Sequence, residues 1–215
     1  MPPISFPALK KIKILSLGAE SVGRFCFYDG GNVFISQDFG DILDENNLKI
    51  YKKSVLACIK TDKPDVILTD LHPLYNSTVL GEELSKKLKV PCIKVQHHLA
   101  HIFSAIGDRL LHDTEYSMPN TIFGIAMDGT GYGFDGKIWG GEVFQIQRSK
   151  FKDQNDNSES EENKLQHYQI SRFGSLEEQT MIGGDLAVKE PARMLIAILA
   201  KITKSKYQNT KEFYL

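Results

Sequence analysis

Three short β-rich runs separated by glycine turns, followed by helix, strand, helix, strand and helix, leave this chain few folds to adopt. The first runs span residues 12–17, 24–28 and 33–37. Gly18-Ala19-Glu20-Ser21 and Asp29-Gly30-Gly31 lie between them, and an Asp-Gly-Gly turn flanked by β-branched and aromatic residues is a hairpin signal. The first tight loop is also a candidate phosphate contact. Residues 44–60 place Leu48, Tyr51, Val55 and Ile59 at helical spacing, and Pro64 bars continuation. A Val-Ile-Leu strand at 65–69 leads to Asp70-Leu71-His72-Pro73. Ser77 or Thr78 is expected to cap a helix ending at Leu88. A strand at 90–95 then runs into a helix at 97–111, with Leu99, Ile102, Phe103, Ile106 and Leu110 on one side. A hairpin start followed by alternating helix and strand implies an α/β fold whose mixed sheet has helical crossovers.

The second half opens with an apolar run at 122–127, a glycine-dense loop, and a run at 137–146 rich in aromatic and β-branched residues. A third strand is expected near 166–173. Between them the tract 149–165 is charged and polar with almost nothing to bury, and is expected to be a solvated loop. A helix is expected over about 186–204, capped by Asp185 and regular from Pro191, whose missing N–H is best tolerated in a first turn. These patterns divide the chain into residues 1–116 and 117–215.

A chain of 215 residues has room for a real core. Its 26 basic and 27 acidic residues give a net charge of -1, which argues against nucleic acid or a membrane surface as partner. No apolar run reaches spanning length and nothing resembles a signal peptide. Cys26, Cys58 and Cys92 are scattered, as reduced thiols are. A cytoplasmic location is expected.

The chemistry concentrates between Val95 and Ile146. Each helical residue turns about 100°, so His97, His101, Ser104 and Asp108 gather opposite the apolar stripe. Two imidazoles one turn apart can reach one ion in a cleft; two solvated histidines on an amphipathic helix would look the same. His98 is rotated away from His97 and is expected to hydrogen-bond or sit at the rim rather than ligate. The loop Asp128-Gly129-Thr130-Gly131-Tyr132-Gly133-Phe134-Asp135-Gly136 holds four glycines. Such loops can turn N–H groups toward phosphate, and also occur without ligands. Asp128 sits where a carboxylate could meet a metal or a metal-bound phosphate. His72 follows a strand end, where open α/β sheets collect ligands, so a substrate role and a loop-structuring one are equally open. Trp139 reads as packing and Arg193 as an exposed helical arginine.

The element order resembles the ribonuclease-H-like lobe of the actin and sugar-kinase superfamily, one complete lobe followed by the start of a second. Four segments sharpen this: Asp70-Leu-His72-Pro73-Leu-Tyr75-Asn-Ser77-Thr78; Val95-Gln96-His97-His98-Leu-Ala-His101; Asp128-Gly-Thr-Gly-Tyr-Gly with Trp139-Gly-Gly-Glu142; and Gly183-Gly184-Asp185 with Glu190-Pro191-Ala-Arg193-Met194. In this order they resemble the HypF carbamoyltransferases of nickel–iron hydrogenase maturation, over roughly residues 12–200.

The resemblance implies an actin-like carbamoyl-transfer module. It implies a divalent iron or zinc ion on His97, His101 and Asp128, with Asp128 and both histidines at the catalytic centre. It implies a carbamoyladenylate, made from carbamoyl phosphate and ATP, whose phosphate rests on Gly129, Thr130, Gly131, Tyr132 and Gly133. The acceptor would be the C-terminal cysteine of a HypE-like partner. Relatives also carry an acylphosphatase-like domain, paired Cys-x-x-Cys zinc elements, an adenylating domain and a fuller second lobe. The expectation is therefore a truncated module that pairs with a missing second half or adenylating domain. An O-carbamoyltransferase of small molecules, or a catalytically inactive metal- and nucleotide-binding module, are the alternatives.

Overall fold

The computed structural model describes residues 4–5, 12–113, 115, 117–148, 168–184 and 186–211, with side chains excepted at 4–5 and 204–211. The expected polar loop at 149–165 and the expected cap Asp185 lie outside the described residues. The chain divides into two compact units, Met1–Asn120 with Gly131–Ile138, and Thr121–Thr130 with Trp139–Leu215. The sequence division at 116/117 kept the whole glycine loop with the second part. The difference at 131–138 has a local cause, because Tyr132 and Gly131 pack on residues of the first unit, as described below.

In the first unit β1 (Ile4–Ser5), β2 (Ile14–Leu17), β3 (Phe25–Tyr28) and β4 (Asn32–Ile35) are joined by β5 (Val66–Asp70) and β6 (Cys92–Val95) in one sheet. The order is β1-β4-β3-β2-β5-β6, antiparallel through β2 and parallel from β2 to β6. The turn before β4 is held by Asp29, whose Oδ1 accepts the N–H groups of Gly31 and Asn32 at 3.0 and 2.7 Å. The crossover helices are α1 (Glu45–Thr61) and α2 (Asn76–Leu88). Asp44 caps α1, its Oδ1 accepting from Asn46 N and Asn47 N. Tyr51 and Val55, on the stripe read from the sequence, are fully buried against Leu15, Phe25 and Ile67. Helix α2 approaches β5 so closely that a Cβ on Gly81 would lie 2.3 Å from Thr69 Cγ2; glycine is needed there for space.

The cap of α2 differs from expectation. Tyr75 is the N-cap residue and its side chain makes no capping bond, while Ser77 and Thr78 are buried inside the first turn. The N–H of Asn76 instead donates to Glu20 Oε1 at 2.8 Å, across 56 residues, and Thr78 Oγ1 donates to the Asp70 carbonyl at 3.1 Å. A buried carboxylate from the β2–β3 loop thus does what a local hydroxyl was expected to do.

The parallel register pairs Asp70 with Val95, and Leu71 N–H donates to the Val95 carbonyl at 2.9 Å. Both strands therefore end together, so that α3 (His97–His112) starts beside Asp70. Leu99, Ile102 and Ile106 are buried on the expected face, and Phe103 at its margin is exposed.

In the second unit β7 (Thr121–Ala126), β10 (Glu142–Arg148) and β11 (Tyr168–Ser175) form an antiparallel sheet ordered β11-β10-β7. The long run expected at 137–146 is broken by Gly140 and Gly141, the latter at φ +42, separating β10 from the short strand β9 (Ile138–Trp139). β9 faces β8 (Gly131–Tyr132) in a two-stranded ribbon. α4 (Leu186–Lys189) gives way at Glu190 to α5 (Pro191–Lys211), with the proline first in its helix as its chemistry favours. Among the described residues no helix is long and apolar enough to cross a membrane.

Candidate metal centre

His97 is the first residue of α3 and His101 lies one turn on. Their Nε2 atoms are 3.2 Å apart, with the rings 83° from coplanar. Two nitrogens at that separation, each about 2.05 Å from a shared ion, would subtend about 103° there, between the octahedral and tetrahedral angles. The bite suits a first-row divalent cation.

The orientation of His97 comes from β5. Its Nδ1 donates to Asp70 Oδ2 at 2.7 Å, while Asp70 Oδ1 accepts the N–H of His72 at 2.8 Å. Asp70 is 8% exposed, so this carboxylate sits largely out of water with both oxygens engaged. Sequence reasoning gave Asp70 no role. The available signal was an acidic residue at the carboxyl end of a buried parallel strand, but its partner 27 residues away follows only from the strand register.

Gln96 was also missed. It is 1% exposed, and its Oε1 accepts the N–H of Leu99 at 3.0 Å, capping α3. Its Nε2 donates to His98 Nδ1 at 2.8 Å and to the Tyr132 carbonyl at 3.3 Å. His98 is fully buried, so of the two expected roles it hydrogen-bonds and does not sit at the rim. The loop lies directly on this arrangement. A Cβ on Gly131 would meet His98 Cε1 at 2.6 Å and His97 Cβ at 3.1 Å. His72 stacks on Tyr75 with centroids 4.2 Å apart and meets Tyr132 edge-on at 5.1 Å. The histidine helix, the strand end and the loop tip are therefore tied by the buried pair Gln96–His98 and by half-buried polar and aromatic contacts.

Asp128 follows β7 in the second unit. Its Oδ1 accepts the N–H of Gly129 at 2.8 Å, and its carbonyl accepts that of Gly141 at 2.9 Å. The expected row of anion-facing N–H groups is shortened, because Gly129 donates to Asp128 and Gly133 donates to the Lys137 carbonyl at 2.8 Å. The loop at 18–21 fits an anion poorly: the Gly18 N–H donates to the Arg24 carbonyl at 3.1 Å and the buried Glu20 brings negative charge.

Trp139 is 7% exposed, packed on Phe144 and covered by the Arg172 guanidinium 4.0 Å from its ring centroid, as a packing residue would be. Arg172 also makes a two-point pair with the buried Glu142, at 2.6 and 2.9 Å, which no local pattern announced. Arg193 donates to Glu190 Oε2 at 2.7 Å. The cysteines are free thiols, and burial pushes Cys26 and Cys58 up.

Residues 9–108 match the family model described as the HypF Kae1-like domain, and residues 124–156 match the second subdomain of the carbamoyltransferase Kae1-like domain. A probable carbamoyltransferase HypF of Methanocaldococcus jannaschii is 38% identical over 191 residues, 87% of this chain. The chain belongs to the HypF carbamoyltransferase family. A HypF homolog of Cupriavidus necator is 32% identical over 188 residues, 86% of this chain. The chain spans 22% of the M. jannaschii HypF and 41% of the C. necator HypF homolog. Among solved structures, full-length HypF in a phosphate- and nucleotide-bound form superposes with a TM-score of 0.71 at 29% identity, covering 99% of this chain and 24% of that one. HypF of T. kodakarensis gives 0.71 at 31%, covering 94% and 23%. His97, His101 and the strand end carrying Asp70 all fall in the first matched HypF segment.

Proposed function

We propose that this chain performs the carbamoyl-transfer step of a HypF enzyme, moving the carbamoyl group of a carbamoyladenylate to the C-terminal cysteine of a HypE-like partner. In that step the partner's thiolate sulfur bonds to the carbamoyl carbon, the carbon–oxygen bond to the adenylate phosphate breaks, and AMP leaves with its electron pair. The reading takes the full module to be actin-like and its compartment to be the cytoplasm, where thiols stay reduced.

His97 and His101, with Asp128 as third ligand, would hold a divalent iron or zinc ion. When bound, such an ion supplies Lewis-acid polarisation of a carbonyl oxygen. The chain's own groups do the rest. His97 and His101 offer ring nitrogens at a fixed separation, and those backbone N–H groups of the Gly129–Gly133 loop that its own turns leave over would meet phosphate oxygens. A HypF solved with phosphate and nucleotide supports an anion in this family. The observation that carries the proposal is the 3.2 Å convergence of two imidazole nitrogens, one of them braced by a buried carboxylate, in a chain of this family.

The test supplies pre-formed carbamoyladenylate and a HypE C-terminal peptide to the purified chain loaded with iron or zinc. Mass spectrometry should find a carbamoyl thioester on the peptide cysteine, lost with His97→Ala. No thioester above the protein-free rate in either metal would sink the proposal.

A further inference from the structure

We propose that Asp70 is a positioning residue that sets the tautomer of His97 and so turns its Nε2 lone pair toward the place shared with His101. The inference rests on the reading that these two histidines hold a metal, and adds to it a residue outside the ligand set.

A neutral imidazole carries its proton on one nitrogen and a lone pair on the other, and only the lone pair can ligate. The contact with His101 one turn along α3 fits either assignment. Asp70 decides it, because an ionised carboxylate only accepts, so the 2.7 Å contact from His97 Nδ1 to Oδ2 requires the proton on Nδ1. Nε2 is then the lone-pair nitrogen, and it is the atom that lies 3.2 Å from His101 Nε2.

Asp70 is itself held at several points. Its second oxygen accepts the His72 N–H at 2.8 Å, its carbonyl accepts Thr78 Oγ1 at 3.1 Å, and its backbone is in register with Val95, two residues before His97. With its carboxylate buried and both oxygens used, rotation away from His97 would strand the His72 N–H. The imidazole is thus oriented before any ligand arrives, as carboxylate partners of metal-binding histidines do.

Asp70→Asn separates tautomer from shape. The amide is nearly isosteric, and with its oxygen retained on the His72 N–H its NH₂ faces His97 Nδ1. That arrangement suits a bare Nδ1 and places the ring proton on Nε2, where it blocks ligation.

The experiment uses the whole chain, uniformly labelled with 15N and free of metal. Long-range proton–nitrogen correlations of the His97 ring should show the Nδ1–H tautomer in the unaltered protein and the Nε2–H tautomer in Asp70→Asn. Zinc affinity, measured against a competing chelator, should fall about 10- to 100-fold in the variant, with an unchanged backbone spectrum outside β5 and α3. A loss of packing alone would weaken zinc without exchanging the proton between the two nitrogens. An Nε2–H tautomer in the unaltered protein, or an unaltered tautomer in Asp70→Asn, overturns the assignment. Unchanged zinc affinity despite an exchanged tautomer overturns it equally. If the tautomers behave as expected but the unaltered protein binds neither zinc nor ferrous iron, the metal reading fails while the orienting role of Asp70 stands.

Discussion

Substituting Gly131 by alanine probes how the loop tip sits on the histidine helix. The new methyl would be 2.6 Å from His98 Cε1 and 2.9 Å from His98 Nδ1, roughly 0.9 Å inside the best carbon–carbon separation. His98 cannot yield cheaply, being fully buried with Nδ1 bonded to Gln96 at 2.8 Å. The loop must lift instead, at an overpacking cost of about 1–3 kcal/mol. Lifting also lengthens the 3.3 Å bond from Gln96 Nε2 to the Tyr132 carbonyl, a further loss of about 1 kcal/mol. The sum is about 2–4 kcal/mol. Gly129, two residues earlier in the same loop, is the control, since a Cβ there meets nothing within 4 Å. Urea denaturation followed by helical circular dichroism should show a clearly lowered midpoint for Gly131→Ala and little change for Gly129→Ala. Equal midpoints for the two variants would refute the packing argument.

In the second unit, Arg172→Met leaves the Glu142 carboxylate, 1% exposed, without its two-point partner. Because Arg172 itself is partly solvated, the expected cost is about 2–4 kcal/mol, read from Trp139 fluorescence during denaturation; Arg172→Met together with Glu142→Leu should recover part of it. Glu20→Ala removes the acceptor for the Asn76 N–H and should cost about 1 kcal/mol, whereas Glu20→Gln keeps an acceptor oxygen and should cost much less. The hydrogen bond from Lys94 beside Glu82 holds that carboxyl below the usual carboxylate range. Its contribution is therefore present above the ordinary glutamate pKa and lost as pH falls through the lowered one, and since both side chains are over a third exposed it amounts to at most about 0.5 kcal/mol. Carbon-13 titration of Glu82 should move up toward the ordinary value in Lys94→Met.

What could be read from the residues alone was whatever local spacing encodes. The stripe of Leu99, Ile102 and Ile106, the proline opening α5 and the hairpin at Asp29-Gly30-Gly31 depend on neighbours a few positions away, and the structure has them as expected. The alternation of strand and helix likewise led to a sheet with antiparallel and parallel halves. The partners that lock the site together were out of reach for the same reason. Asp70 meets His97, and Glu20 meets Asn76, only once β2, β5 and β6 are in register. Ser77 misled because a hydroxyl near a helix start is a common cap, and burial of the first turn of α2 overrode that preference. The glycine loop is ambiguous from sequence because glycines that free N–H groups for a ligand are equally able to close a turn on themselves, as Gly133 does with Lys137.

The most direct measurement of the central claim is metal content. The purified chain, reconstituted with ferrous iron or zinc and desalted, should retain about one ion per chain, and His97→Ala with His101→Ala should retain none while keeping the helical signal of the unaltered protein. An ion retained at full stoichiometry by the double variant, or none retained by the unaltered chain, would contradict the account.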